Sequence, residues 1–281
     1  MDTVIGLGKA GCAIADKFSQ YPQYRIFKID SEDLSKDAKR SKLLKRLSSP
    51  EMYESAVPSM KTFFKSATND VLFVVSGSGM ISGATLRILE QLSKMKKNIN
   101  VLYVKPDVEF LGSVNREQER LVRNVLQEYA RSAVIKRLYL IDNKIVESVL
   151  GDVPVFGYYD KLNDLIVSTF HMINVYDHQK AVHDTPFESS DITKISTVGV
   201  VNVDTGEEKL LFPLENVSEK CYYYAVNRKV LETDGTLLRK LTDGISKNVG
   251  EEDIKTAFQI HSTTYEQSYG YLVVNTSKTN N

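Results

Sequence analysis

The chain has 281 residues, of which 42% are hydrophobic and 26% are charged. This length allows one large or two moderate domains, and the composition is that of an ordinary globular protein. Lysine plus arginine equals aspartate plus glutamate at 36 each, so the overall charge does not indicate a nucleic-acid or membrane partner.

The first half of the chain alternates strand and helix signals. Short apolar runs predict strands over residues 3–5, 24–29, 71–75, 101–104 and 138–141. Amphipathic or charged segments predict helices over residues 13–18, 34–47, 84–94, 116–133 and 144–150. This order predicts a doubly wound parallel sheet, which binds its ligands beyond the carboxyl ends of the strands.

The second half is predicted to contain a smaller α/β domain. After a helix over residues 161–173, we predict strands over 198–201, 221–226 and 269–274 and helices over 235–245 and 250–257. The predicted divisions are a ligand-binding domain (1–160), a helix with its following loop (161–182), a smaller α/β domain (183–275) and a disordered polar tail (276–281).

The two cysteines and the lengths of the apolar runs indicate the cellular compartment in which the protein resides. Cys12 and Cys221 lie far apart in sequence and do not form a disulfide framework, which favours a reducing cytoplasm. The first strand is reached by Val4, which leaves no room for a signal peptide, and no apolar run approaches the roughly 20 residues of a membrane span. We therefore expect a soluble cytoplasmic protein.

Two glycine-rich loops are the clearest functional signal. The first follows a predicted strand and contains Gly6, Gly8 and Gly11; the second, Ser76-Gly77-Ser78-Gly79-Met80, follows another. Glycine lets the backbone approach an anion closely, and a helix N-terminus supplies free N–H groups with a favourable dipole. Two such loops in one α/β domain predict a ligand that carries several phosphates.

One alternative is a dinucleotide. The spacing of Gly6, Gly8 and Gly11 matches the Rossmann pattern, and Asp30 closes the next strand where a ribose-binding acid belongs. This interpretation gives no role to the second glycine loop. None of the four histidines lies at a strand end beside an acid partner, so no hydride-transfer apparatus is evident. An NAD-dependent enzyme stays open as an alternative.

Several segments in a fixed order resemble the tubulin/FtsZ superfamily of polymerising GTPases. They are residues 8–18 (first nucleotide loop and helix), 76–80 (the Thr-Gly-Ser-Gly-Met signature loop), 105–116 (the Lys-Pro-Phe to Arg segment of FtsZ), Asn143 with 149–151, Tyr159 with Asn163, and 172–175. The resemblance implies a GTP-binding domain, a central helix and a smaller C-terminal domain. A short divergent chain of this kind resembles phage or plasmid homologues.

The resemblance implies GTP or GDP as the ligand, with Mg²⁺ as a candidate metal. The residues expected at the nucleotide are Gly8, Lys9, Ala10, Gly11, Cys12, Ser76, Gly77, Ser78, Gly79, Met80, Arg116, Asn143, Tyr159 and Asn163. Tyr159 would stack on guanine, and Asn143 and Asn163 would bind the base edge. From the residues alone, Tyr159 as an interface aromatic and Asn143 as a helix cap stay open as alternatives.

The resemblance also implies head-to-tail filaments of this chain, in which an acid from one subunit completes the site of the next. Only Asp177 stands near the family's catalytic acids, one place late, and the helix over 163–174 is about two turns shorter than in tubulin. Hydrolysis is therefore less secure than binding, and a tubulin-like structural protein with little GTPase activity is the second hypothesis. DNA or virion cargo through an adaptor, no membrane partner, and a cytoplasmic location (the host's, for a phage protein) complete the expectations.

Overall fold

The structure, a computed structural model, describes residues 1–32, 39–250 and 252–280. It divides into two compact units, Met1–Val167 and Ser168–Asn280, and the division falls within one helix. Among the described residues, no helix combines the length and the apolar character that crossing a bilayer requires.

The first unit follows the predicted alternation of strands and helices. Its strands are β1 (Thr3–Leu7), β2 (Arg25–Asp30), β3 (Ser41–Leu43), β4 (Asp70–Val75), β5 (Asn98–Lys105) and β6 (Arg137–Asp142). Its helices are α1 (Gly8–Phe18), α2 (Pro50–Ala56), α3 (Thr85–Lys94), α4 (Ser113–Arg131), α5 (Asn143–Leu150) and the start of α6 (Tyr158–Tyr176), with short 3-10 helices at Phe63–Ser66, Met80–Ala84 and Val108–Phe110.

The strands of the first unit form a parallel sheet in the order β3-β2-β1-β4-β5-β6. The strand order reverses between β1 and β4, as in other doubly wound sheets, where ligands bind at this reversal. Residues 71–75 of β4 are all buried, which fits a continuous apolar run covered by helices on both faces. The predicted fold of this part of the chain is confirmed.

One predicted helix of the first unit is wrong. Ser41–Leu43 is an edge strand that pairs with β2, and residues 44–47 are irregular, whereas 34–38 lie outside the described residues. A helix that the sequence analysis missed, α2, follows immediately. Ser49 caps it by accepting a hydrogen bond from Met52 N at 3.4 Å, and Pro50 occupies its first turn. The lysines and arginines of residues 39–46 resemble the charged face of a helix in the sequence. In the structure, backbone pairing with β2 determines the conformation of Ser41–Leu43 instead.

The second unit contains a mixed sheet and two helices of its own. Its strands are β7 (His183–Asp184), β8 (Ile195–Val201), β9 (Glu208–Leu210), β10 (Glu219–Asn227), β11 (Lys255–Thr263) and β12 (Tyr269–Thr276), and its helices after α6 are α7 (Arg228–Thr233) and α8 (Leu237–Val249). The strand order is β8-β12-β10-β11-β7, with β9 beside β8. Only β10 and β11 run parallel among these pairs. Because the described unit combines this sheet with helices, it contains both α and β structure, as predicted.

The core of the second unit lies between the sheet and α8. Tyr222, Tyr224 and Phe258 from the strands pack with Leu241 and Ile245 of the helix. The rings of Tyr222 and Tyr224 lie parallel, 6.1 Å apart, on one face of β10. Successive alternate residues of a strand point to the same face, which is why residues two apart stack here.

The second unit differs from the sequence predictions at a helix and at the C-terminal tail. The helix over 250–257 is wrong, because Gly250 ends α8 with a φ of +60° and Lys255–Thr263 pairs with β10 as a strand. The tail was expected to be disordered from residue 276, yet Asn280 is buried and accepts a hydrogen bond from Glu215 N at 2.6 Å. Asn281 lies outside the described residues.

Candidate functional site

The two glycine loops lie side by side at the carboxyl edge of the first unit's sheet. β1 and β4 are neighbours, and Gly6 pairs with Val74. The first loop continues directly into α1 at Gly8, and the second begins at Ser76, one residue after β4 ends. Both loops therefore flank the reversal of strand order, the place where a doubly wound sheet forms its ligand crevice.

Close packing explains the glycines of the first loop. A Cβ on Gly6 would lie 2.4 Å from the carbonyl oxygen of Gly11, and one on Gly11 would lie 2.5 Å from that of Val74. Gly8 has a φ of +70°, which other residues rarely adopt. These glycines allow the start of α1 to pack against both β1 and β4.

The N-terminus of α1 has unpaired donors. Leu7 precedes the helix in an extended conformation and supplies no side-chain cap, and Lys9 and Ala10 are exposed. In a helix that begins at Gly8, the N–H groups of Gly8, Lys9 and Ala10 have no intrahelical partner, because the first intrahelical bond joins Gly11 N to Leu7 O. Such a terminus favours an anion through these donors and through the helix dipole.

Cys12 belongs to the packing beneath this loop. Its Sγ lies 3.4 Å from Gly6 O and 3.5 Å from Ile29 O, so the thiol can donate to either. Burial raises the pKa of Cys12 to about 12, so the thiol is neutral at physiological pH. The side chain is therefore a packing element, and any contact of Cys12 with a phosphate would involve its backbone.

The second loop is half inserted into the protein. Gly77 is buried, Ser76 and Ser78 are half-buried, and Gly79 and Met80 are exposed. The 3-10 helix Met80–Ala84 then leads into α3. The exposed part of the loop is thus the part that follows Gly77.

Asn143 begins α5 at the carboxyl end of β6. It is not the helix cap, because Asp142 accepts the N–H of Lys144 at 3.0 Å and also pairs with Lys105 Nζ at 2.8 Å. The Oδ1 of Asn143 is buried and has no hydrogen-bond partner within the described protein. A buried acceptor without a partner is costly, so this atom fits a ligand that donates a hydrogen bond.

The start of α6 carries the two other residues predicted at the base. Tyr159 is 67% exposed, and Asn163 is buried one turn later on the same helix face. Tyr158 hydrogen-bonds to Glu147 of α5; burial first, and then this bond, raises the pKa of Tyr158 to about 12. This contact joins the start of α6 to the helix that begins at Asn143.

An ion pair joins the same part of α6 to α1. Lys17, in the last turn of α1, lies 2.9 Å from Asp164 and 3.4 Å from Asp160. The helix that starts at the first glycine loop is therefore connected to the helix that carries Tyr159. Arg116 lies exposed in the first turns of α4, after the carboxyl end of β5.

Asp30 and Asp177 are the two acids singled out by the sequence. Asp30 closes β2 as predicted, but it is buried, accepts Ser31 N at 2.7 Å, and has a pKa raised by that burial. Asp177 follows α6 in the second unit, where its Oδ1 accepts a hydrogen bond from Tyr223 Oη at 2.7 Å. Groups of three or more metal-ligating side chains are absent from the described ranges, and the Mg²⁺ expectation stays a prediction.

A scan of protein-family models and a search of curated proteins returned no match. Solved structures match over nearly the whole chain. The FtsZ dimer of M. jannaschii gives a TM-score of 0.69 at 13% identity, over 97% of this chain and 87% of that one. A GTPγS-form protofilament of TubZ from Bacillus thuringiensis serovar israelensis gives 0.73 at 12% identity, over 98% and 86%. CetZ2 from Haloferax volcanii, a GTPγS-bound protofilament, gives 0.71 at 14%, over 98% and 92%. The chain has the tubulin/FtsZ fold.

The tubulin/FtsZ fold extends beyond the part that the motifs covered. The quoted motifs end at residue 175, whereas the structural matches span 97% or more of the chain and so include the second unit. α6 runs over Tyr158–Tyr176, which is longer at both ends than the stretch 163–174 used for the sequence comparison. The comparison of this helix with that of tubulin therefore used too short a stretch.

Sequence analysis missed the residues that support the site without facing the ligand. Ser82, Tyr103 and Glu119 lie against the second loop. Lys17 pairs with Asp164 of α6, and Asp142 caps α5. The only available signal was the Asp142-Asn143 pair after a strand, which is typical of a helix N-terminus. The others act through contacts between residues that are far apart in sequence.

Proposed function

We propose that this chain binds a guanine nucleotide at the carboxyl edge of the first unit and assembles head to tail into filaments. The observation that carries the proposal is the convergence of both glycine loops at the reversal between β1 and β4. The uncapped start of α1 would bind phosphate oxygens through the N–H groups of Gly8, Lys9 and Ala10. The second loop, from Ser76 to Met80, would contribute N–H and hydroxyl donors.

The acceptor on Asn143 supports a base that carries N–H donors, and the choice of guanine rests on the resemblance to tubulin and FtsZ. The Oδ1 of Asn143 is buried and without a partner among the described residues, and guanine presents N–H donors along its pairing edge. Tyr159 offers an exposed ring for stacking, a contact worth about 1–3 kcal/mol per base. Asn163 would supply a further donor and acceptor.

Relatives in fold support both parts of the proposal. TubZ has been solved as GDP-form and GTPγS-form protofilaments and as two- and four-stranded filaments. In this chain, exposed apolar side chains lie between β5 and the start of α4 and between α5 and α6: Phe110, Val114, Val155 and Phe156 are each at least 75% exposed. Exposed apolar surface of this kind marks interaction sites, and a head-to-tail contact that does not close gives a filament.

Hydrolysis is the less supported part of the proposal. Asp177 would complete the site of the next subunit, where a carboxylate can orient the attacking water. In the structure, Oδ1 of Asp177 accepts a hydrogen bond from Tyr223 Oη, which orients this carboxylate. Mg²⁺, if used, would be bound largely by the phosphates themselves. The second candidate, a filament protein with little GTPase activity, is favoured by the lone acid in this stretch; DNA or virion cargo stays a prediction.

The proposal is tested by denaturing the purified protein and identifying the released nucleotide by chromatography. We expect GDP or GTP, and competition by GTP but not by ATP or NAD. Tyr159→Ala should weaken GTP binding by about 1–3 kcal/mol. Tyr265→Ala is the matched control, because Tyr265 is 65% exposed and, like Tyr159, meets a neighbouring tyrosine edge to face. Release of NAD, or equal binding by both variants, would contradict the guanine site.

A further inference from the structure

A chain of buried polar contacts lies beneath the second glycine loop, in a part of the site to which no role was assigned above. Tyr103 is fully buried on β5 and pairs in register with Val75, the last residue of β4. A Cβ on Gly77 would lie 2.2 Å from the hydroxyl oxygen of Tyr103. The loop therefore rests directly on this phenol group.

Tyr103 is held in turn by α4. Its hydroxyl lies 3.0 Å from Oε1 of Glu119, and the same oxygen accepts from Nε of Arg123 at 3.0 Å. Glu119 and Arg123 are both buried, so this is an ion pair shielded from water. Burial, together with the charge of Glu119, raises the pKa of Tyr103 well above its usual value, while a hydrogen bond with the backbone of Gly77 acts in the opposite direction. The phenol stays neutral and can donate.

A second contact acts on the carbonyl oxygens of the same loop. The hydroxyl of Ser82, which is buried, lies 2.6 Å from Gly79 O and 2.9 Å from Gly77 O, and Ser82 N donates to Gly79 O at 2.9 Å. Gln118 Nε2 approaches the Ser82 hydroxyl at 3.4 Å. Successive residues of α4, 118 and 119, thus hold the loop through Ser82 and through Tyr103.

The direction of these hydrogen bonds matters for an anionic ligand. A carbonyl oxygen facing a phosphate repels it, whereas a backbone N–H attracts it. Both carbonyls of the loop's glycines are directed to the Ser82 hydroxyl, inside the protein. Donors held in advance in this way bind more tightly, because the loop need not be ordered on binding.

We propose that Ser82 and Tyr103 are positioning residues, which fix the second glycine loop with its carbonyls inward so that the donors beyond Gly77, those of Ser78, Gly79 and Met80, face the nucleotide phosphates. This inference rests on the proposed function, since it concerns the same site. It adds that affinity for the phosphates depends on two buried side chains that do not touch the ligand.

The test measures the affinities of guanosine, GMP, GDP and GTP for Ser82→Ala and Tyr103→Phe by calorimetric titration. We expect GDP and GTP to bind about 3- to 10-fold more weakly, the equivalent of one net hydrogen bond, and guanosine to bind as in the wild type. A residue that only stabilises the fold would lower all four affinities equally or none.

Two matched controls lie in the second unit. Tyr222 is a buried tyrosine whose hydroxyl donates to Glu208 Oε1 at 2.6 Å, and Glu208 pairs with Lys220, which repeats the arrangement of Tyr103. Ser196 is a buried serine that donates to Asn275 Oδ1 at 2.7 Å. Tyr222→Phe and Ser196→Ala should lower the melting temperature comparably and leave all four affinities unchanged.

The outcomes separate this inference from the proposed function. If the wild-type chain binds none of the four ligands, the nucleotide site and the positioning role both fail. If the wild type binds GTP and the two variants keep its affinity, or lose guanosine and GTP affinity in the same proportion, only the positioning role fails. It also fails if both variants unfold under conditions in which both controls stay folded, since the contacts would then serve stability.

Discussion

The two glycines of the second loop show how one residue type serves different purposes two positions apart. Gly77 has no room for a side chain, because a Cβ would meet the hydroxyl of Tyr103 and would lie 3.1 Å from Cα of Glu119. Gly79 has a φ of −87°, and nothing lies within 4 Å of its Cβ position. The first is required by packing, and the second leaves space above the loop.

This difference gives a residue-scale prediction. Gly77→Ala should lower the free energy of unfolding by about 1–3 kcal/mol, because the new methyl group would overpack the space beside Tyr103 and Glu119. It should also weaken GTP binding, since the loop must move. Gly79→Ala, the matched control, should unfold in urea as the wild type does. Equal stability of the two variants would show that Tyr103 can move aside at no cost.

At the scale of elements, local pattern identified most of the strands and helices of the first unit. β4 was visible as an apolar run and α3 as an amphipathic segment, because burial on both faces or on one stripe leaves a mark in the sequence. Ser41–Leu43 and residues 255–257 of β11 were predicted as helix, since their charged neighbours resemble helical surface residues. Both are strands, because pairing with β2 and β10 prevails over local preference.

The ion pair between α1 and α6 gives an element-scale prediction. Lys17→Ala should cost at most about 1 kcal/mol of stability, less at high salt, because the pair is partly exposed. It should also weaken GTP binding, since α6 carries Tyr159 and Asn163. Lys94→Ala removes a comparable pair with Glu90 on α3 and should leave binding unchanged. Unchanged GTP affinity in Lys17→Ala would indicate that α6 is held by its apolar contacts alone.

The same pair predicts a dependence on pH. The hydrogen bond that Lys17 donates to Asp164 raises the pKa of Lys17 from its usual 10.5. Because the folded value lies above the unfolded one, the stabilisation is fully present below about pH 10.5 and is lost as the pH rises through the raised value. Urea titrations across this window should therefore converge for the wild type and Lys17→Ala.

At the scale of the whole molecule, the exposed apolar residues of the first unit bear on assembly. Phe156 is 96% exposed and Val155 is 89% exposed, in the connection that precedes α6. Such residues contribute nothing to the core of the unit that carries them. Their presence beside the start of the helix with Tyr159 fits a contact surface for another copy of the chain.

Phe156→Ser tests this surface. It should change the stability of the monomer by no more than about 0.5 kcal/mol, because an exposed side chain has little to lose. It should raise the protein concentration at which GTP-dependent light scattering begins. Leu121→Ser, at an exposed position on the body of α4, is the control and should assemble as the wild type does. Identical assembly of the two variants would remove Phe156 from the contact.

The sequence by itself determined most of the strand and helix alternation of the first unit, the two glycine loops and the resemblance to tubulin and FtsZ. Apolar periodicity and glycine spacing are local properties, so they can be detected without knowing what packs on what. They sufficed for the fold class and for the candidate residues on both sides of the crevice.

The tertiary structure decided which of these residues are held in place, and by what. The sequence left Asn143 as either a helix cap or a base contact. In the structure Asp142 is the cap, and Asn143 Oδ1 has no hydrogen-bond partner among the described residues. Beneath Gly77, the hydroxyl of Tyr103 hydrogen-bonds to Glu119. On the helix that carries Tyr159, Asp164 forms an ion pair with Lys17. These contacts unite residues distant in sequence, whose proximity arises only when the helices pack on the sheet.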